Sequence, residues 1–358
     1  MPHGWRPSHA LQTAILDLLR GNAPPVGFSG SEIQAALARY QCGGWIRRGW
    51  ETAGRLDALP EVWRAPLDRA ERKIRVDNLA ALAEFRRLGG LMRREGIPLL
   101  LLKGADYLLD LYEDPAARFL TDIDLLVKPE HVGPIARALR HEGYVADLGR
   151  HFPEHRRFEM WRPAAGHCRF EFHWQLGLRP RARIDQGGLW ERSQTCTLEE
   201  VECRRLEAED ALLFHCYHLA DSYFGPSLKW VIDLRLMFER RRPDTNRLLE
   251  RSARWKVRTA LHLSLEHLER IFPGVVPTRL KEALRPGALR RTLLDQRTLD
   301  EPLEMMDEDQ GSYSRYPLRL LLLDGMLDAL ALSSVVLSRP IVRPIQRLLG
   351  TAKPPWER

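Results

Sequence analysis

Paired cysteines are missing from this 358-residue chain: Cys42, Cys168, Cys196, Cys203 and Cys216 are scattered, odd in number and form no Cys-x-x-Cys. That disfavours a disulfide framework and leads us to expect reduced thiols and a cytoplasmic location. No run of about 18 uncharged apolar residues occurs, so no membrane-spanning helix is expected. The first residues, MPHGWRPSHALQ, lack the apolar run of a secretory signal. Internal repeats and low-complexity tracts are absent, as is any aromatic-studded basic motif of an RNA-binding module. Lysine is scarce, 7 of the 55 basic residues, and the net charge of +7 admits a polyanionic substrate without requiring one.

What is present is apolar patterning. With 44% hydrophobic residues the chain can bury a sizeable core in two or three domains. Residues 10–19 place Leu11, Ile15, Leu18 and Leu19 on one side of a helix, residues 21–30 read as a Pro/Gly linker, and Ser31 is expected to cap a helix running to Tyr40. Residues 64–95 carry Leu67, Ile74, Leu79, Leu82, Phe85, Leu88 and Leu91 near helical spacing, with a kink expected at Gly89-Gly90. Its many charges read as a solvated face, so this region is assigned to packing or to the substrate side.

Residues 97–127, IPLLLLKGADYLLDLYEDPAARFLTDIDLLV, concentrate the chemistry. The apolar run 98–102 is expected to be a buried strand, ending at Lys103-Gly104. Gly104 lets the chain turn tightly, take a positive φ and bring its backbone close to a ligand. Residues 105–112 have helical spacing, and the amides at that helix start would suit a phosphate. Asp114-Pro115 stops the helix, and 121–127 read as a second strand. Strand alternation puts Asp122 and Asp124 on one face and Ile123, Leu125 and Val127 on the other. Two like charges on one face repel unless a cation lies between them, and magnesium is a natural one.

This stretch resembles the nucleotidyltransferases of the DNA polymerase β-like superfamily. It is most similar to the bacterial group called uncharacterised nucleotidyltransferases, marked by a Lys-Gly turn, an arginine, and Asp-x-Asp followed by Leu-Val. Here these are Lys103-Gly104, Arg118 and Asp122-Ile123-Asp124-Leu125-Leu126-Val127. The resemblance is strongest over residues 99–144 and looser to residue 239. The wider superfamily usually has Gly-Ser or Gly-Gly at the turn. With Gly104-Ala105 the hydroxyl contact to phosphate is lost, leaving Lys103 and the amides of Gly104 and Ala105. The resemblance implies an NTP co-substrate, Mg2+ or Mn2+ on Asp122 and Asp124, and phosphate contacts from Lys103, Gly104, Ala105 and Arg118.

After a helix over 129–142, a short strand over 144–148 and a polar connection over 149–166 that holds His151, His155, Arg156 and Arg157, the run CRFEFHWQ alternates clearly. Phe170, Phe172 and Trp174 fall on one side, Arg169, Glu171 and His173 on the other. The resembled family carries a third carboxylate on a later strand, and Glu171 matches it, completing a metal set of Asp122, Asp124 and Glu171. His173 is read as a supporting histidine behind the ligands. A zinc site from His167, Cys168 and His173 is disfavoured, because a strand would point them to different faces.

From residue 206 the chain is helical, with His218 on one helix and Lys229, Trp230 and Asp233 on the next. The resemblance makes this a domain closing over the nucleotide. Lys229 could contact it, or could pair within its helix with Asp233. Residues 318–337 are apolar but interrupted by Arg319, Asp324 and Asp328, and read as a core helix in preference to a membrane-surface one.

The expected fold is α/β (α+β): a small mixed sheet core over 96–205 between helical regions at 1–95 and 206–358. The expected activity is metal-dependent transfer of a nucleotidyl group from an NTP to an acceptor hydroxyl, with pyrophosphate released. Asp122, Asp124 and Glu171 would be catalytic, and His173, His218 and Asp233 would support them. A peptide, protein or small molecule is the favoured acceptor. The alternatives are a toxin-type enzyme acting on transfer RNA and a nucleotide-binding protein without turnover; retention of three carboxylates weighs against the latter.

Overall fold

In the computed structural model, the residues described are 5–146, 157–163, 168–177, 181–306, 316–325, 327–330 and 333. His151, His155, Arg156, His167, residues 334–337 and the basic tail from Pro340 lie outside them.

Helical spacing of apolar residues builds the N-terminal region from α1 (His9–Leu19), α2 (Gly30–Tyr40) and α3 (Gly43–Thr52). The cap of α2 is Ser29, not Ser31. Its hydroxyl accepts from the Glu32 amide while the Glu32 carboxylate accepts from the Ser29 amide, and that reciprocal pair decides the start. α4 (Glu61–Arg94) is one 34-residue helix that continues through Gly89-Gly90. The glycine serves close approach instead of a kink: a Cβ on Gly89 would lie 2.3 Å from Val201. Leu79, expected on the apolar stripe, is exposed.

The sheet has seven strands: β1 (Leu100–Leu102), β2 (Ile123–Leu126), β3 (Val145–Ala146), β4 (Arg157–Trp161), β5 (Arg169–His173), β6 (Gln194–Leu198) and β7 (Val201–Arg205). Their order is β3-β4-β5-β2-β1-β7-β6, with β1–β7 and β2–β5 parallel and the other pairs antiparallel. The sheet is mixed and the fold is α+β, as expected. Short helices α5 (Lys103–Tyr107), α6 (Val132–His141) and α7 (Gln186–Arg192) join the strands. α5 is shorter than the expected helix over 105–112 and begins two residues earlier, at Lys103.

Two strand features depart from the sequence reading. Residues 157–161, expected inside a connection, form β4: Phe158 and Met160 point into the core between Arg157, Glu159 and Trp161. Residues 194–205 form the β6–β7 hairpin, whose turn residues Glu199 and Glu200 have φ of 48° and 61°. Such turns usually carry Asn-Gly, and two glutamates conceal the hairpin.

Alternation divides the sheet's two faces. Leu99, Leu101, Ile123, Leu125, Phe158, Phe170, Phe172 and Val201 pack with the second half of α4 and with α6. Leu100, Leu102 and Leu126 face the other way, into a cluster shared with the N-terminal helices and with α8 (Ala208–Asp221), α9 (Leu228–Leu236), α10 (Thr245–Trp255) and α11 (Arg258–Ile271). Further on lie α12 (Thr278–Leu284), α13 (Ala288–Asp295) and α14 (Tyr316–Leu321). The expected helix over 318–337 is broken at its start, because Asp324 is drawn out to accept from the amides of Arg258 and Thr259, at 2.6 and 2.8 Å, capping α11. Among the described residues no helix is long and apolar enough to cross a membrane.

Candidate active site

The inner strands align the polar residues in rows. Leu102 pairs with Asp124, Asp124 with Glu171, and Glu171 with Glu159; the next row is Leu100, Leu126, His173 and Arg157. Asp124, between Ile123 and Leu125, and Glu171, between Phe170 and Phe172, therefore project from one face while their neighbours fill the core behind it. Asp124, Glu171 and His173 are all buried, at 3%, 5% and 6% exposure.

His173 Nε2 lies 3.0 Å from Asp124 Oδ1 and 3.3 Å from Glu171 Oε1. Lys103 Nζ reaches Asp124 Oδ1 at 2.9 Å, and the Arg157 guanidinium meets Glu171 Oε1. The repulsion expected among bare carboxylates is thus already balanced by the chain's own cations. One ligand atom from each of Asp124, Glu171 and His173 falls within 4.8 Å of the others. Asp122 precedes β2, accepts from the Thr121 hydroxyl at 2.9 Å, and stands outside that group.

The charges respond to this setting. Burial pushes the Asp124 carboxyl up, but Lys103 and His173 outweigh it and hold it below the usual carboxylate range. Asp122 goes the other way, raised by burial and by Asp124. Burial opposes charge on Lys103, yet Asp124, Glu171 and Asp122 together raise its pKa.

The turn is built differently from the expectation. The positive φ belongs to Lys103, at 46°, and not to Gly104. Gly104 is needed for space: a Cβ there would sit 2.6 Å from Arg118 Nη1. Ala105 is buried in the core behind the turn.

Arg118, expected to meet phosphate, is committed elsewhere. Its Nε and Nη2 donate to the two oxygens of Asp233, both at 2.8 Å, and the Tyr112 hydroxyl donates to Asp233 Oδ1 at 2.6 Å. Asp233 accordingly pairs with Arg118, not with Lys229. Lys229 is 4% exposed, and its Nζ approaches only the Thr121 hydroxyl, at 3.4 Å, and the rings of Phe119 and Trp230. Among the described residues it has no carboxylate in ion-pair range. Burial and the neighbouring Arg118 pull its pKa down to about 8.

His218 stands edge-on to Trp230, and burial with Lys103 nearby keeps it neutral. His215, which the sequence did not single out, donates from Nε2 to the Trp230 carbonyl at 2.8 Å and so accepts at Nδ1 from the Tyr107 hydroxyl at 2.9 Å. Arg157 and Tyr112 were also missed: one lies on the unread strand β4, and the other meets Asp233 across 121 residues of sequence.

A Lys-Gly turn at the end of one strand, an Asp-x-Asp at the start of its antiparallel neighbour and a third carboxylate on the adjoining parallel strand are thus brought together on one sheet. The chain belongs to the family described as an uncharacterised nucleotidyltransferase, whose model matches residues 31–273, more than half of its length. No curated protein and no solved structure matches it.

Proposed function

We propose that the protein transfers a nucleotidyl group from an NTP to an acceptor hydroxyl, releasing pyrophosphate, with Mg2+ or Mn2+ held by Asp122, Asp124 and Glu171. The observation that carries this reading is the register of β2 and β5, which seats Asp124 beside Glu171 on a buried polar face with Lys103 against them. The donor set fits a divalent ion: oxygens of Asp124 and Glu171 converge within 4.8 Å of each other and of a His173 ring nitrogen, and Asp122 stands just before β2 in the chain. When bound, the metal supplies charge neutralisation at the triphosphate and a lower pKa for the acceptor hydroxyl.

The chain's own residues do the rest. Lys103 pairs with Asp124, both Lys103 and Lys229 act on Asp122, and Lys229 brings a buried ammonium suited to a phosphate. The Gly104 and Ala105 amides complete the phosphate turn. Glu171 completes the metal site or receives the acceptor's proton. Arg118 acts behind the site: through Asp233 it fixes α9 and hence Lys229. Catalysis would rest on positioning and charge neutralisation. The favoured acceptor is a peptide, protein or small molecule.

Calorimetric titration of ATP, then of the other NTPs, tests the metal requirement. Affinity should fall at least about tenfold when chelator replaces magnesium, since Asp122 and Asp124 would then repel the phosphates. Equal affinity in both conditions would overturn the assignment. Incubation with labelled NTPs and cell extract should then mark the acceptor, and labelled transfer RNA would replace the favoured acceptor class.

A further inference from the structure

We infer that His173 is a direct ligand of the metal centre, so that the site is a mixed carboxylate–imidazole site selecting cations that accept nitrogen, manganese(II) and cobalt(II) before magnesium. This deepens the reading proposed above and rests on it. Three observations carry it.

The first is spacing. Neighbouring ligands around an ion at about 2.1 Å stand about 3.0 Å apart. His173 Nε2 already lies 3.0 Å from Asp124 Oδ1 and 3.3 Å from Glu171 Oε1, and the three ligand atoms all fall within 4.8 Å of one another, close to coordination spacing. The second is the setting of the oxygen. Glu171 Oε1 is buried and lacks a hydrogen bond of good geometry, though the Arg157 guanidinium and His173 Nε2 both lie against it as charge partners. The third is the make-up of the group. Among the described residues the convergent group is Asp124, Glu171 and His173, so a nitrogen joins the carboxylates in the sphere, with Asp122 standing just before β2. Strand alternation enforces this, since His173 follows Glu171 by two residues and shares its face.

The chemistry then sets selectivity. Magnesium is held by oxygen and keeps its waters, whereas later divalent ions gain from imidazole. The competing role for His173, a hydrogen bond that merely orients Asp124, leaves an all-oxygen sphere and no such preference.

Pulsed electron paramagnetic resonance of Mn2+ added to the nucleotide-free protein reads the ligand directly. A nitrogen-14 coupling of imidazole type should be present in the wild type, lost in His173→Gln and kept in His218→Gln. In parallel titrations His173→Gln should lose about tenfold or more in Mn2+ affinity and change by less than about threefold for Mg2+. No coupling in the wild type, a coupling that survives His173→Gln, or equal losses for both metals would overturn the assignment. Should His173→Gln not fold, His173→Asn takes its place: coupling lost there but kept in His218→Gln supports the assignment, and coupling kept in His173→Asn overturns it. Magnesium-supported NTP turnover without nitrogen coupling defeats this inference alone, while absence of both metal binding and turnover defeats the proposed function with it.

Discussion

At the scale of single residues, Glu171 and Lys229 give opposite tests. Glu171→Gln should cut NTP turnover by about 10²–10⁴-fold, the usual cost of losing a metal ligand or proton acceptor. Its metal-free melting temperature should fall slightly instead of rising, because Arg157 and His173 lose their counter-charge. Turnover assays beside melting curves in chelator check both. Lys229→Met should move the two quantities apart. The buried lysine has its pKa lowered from 10.5 to about 8, so its charge is unfavourable in the folded chain below about pH 8. That cost, a few kcal/mol at about 1.4 kcal/mol per pKa unit, is relieved as pH rises through the interval between those values, where the unfolded chain binds the extra proton. Lys229→Met should therefore gain stability at pH 7 and lose NTP affinity, and the gain should vanish by about pH 10.5. A variant that loses stability at pH 7 would show that the ammonium already has a partner. Part of this arrangement was legible in the sequence: period-two alternation put Asp124 and Glu171 on one face, each between core residues, while Asp122 falls just before the strand. The Arg118–Asp233 pair was not, because its partners are 115 residues apart and nothing local marks either as paired.

At the scale of elements, two glycines carry packing that a reading of local structure misassigned. In α4, Ala for Gly89 would gain about 1 kcal/mol in helix preference. Its Cβ would meet Val201 on β7 at 2.3 Å, and overpacking costs about 1–3 kcal/mol, so the variant should be destabilised. Adding Val201→Ala should recover most of that loss in denaturant titrations; no recovery would place the fault in the helix itself. Gly104→Ala should weaken nucleotide binding and also lower stability, because the methyl displaces an arginine fixed by a buried carboxylate, a pair that costs about 3–5 kcal/mol to break. Thermal melting separates this from a pure binding defect. The long helices and inner strands were readable because each carries one strong period. β4 was hidden because it is only five residues long, and the β6–β7 hairpin because its strands are largely polar and its turn, Glu199-Glu200, holds neither glycine nor asparagine.

At the scale of the molecule, one apolar cluster runs from Leu11 in α1, past Leu100, Leu102 and Leu126 under the sheet, to Leu268 in α11 and Met306 beyond it. The N-terminal and C-terminal helices should therefore protect one another: amides of α1 and α11 are expected to exchange hydrogen with similar opening free energies. Exchange of α1 at a rate set by local fraying would argue that it folds apart from the rest.

The parallel pairing of β2 with β5 has a consequence for how the chain can change. Side chains in a strand keep phase with their neighbours, and one residue gained or lost inside 169–171 would set Phe170 or Phe172 opposite Asp124 and send Glu171 into the apolar layer under α4. A joint outside the sheet is under no such restraint. Length variation should thus be tolerated at the exposed joint between α12 and α13, residues 285–287, where it leaves the phase untouched, and be purged from the five residues of β5. A library of single-residue insertions scored for NTP binding would display that contrast between the two segments.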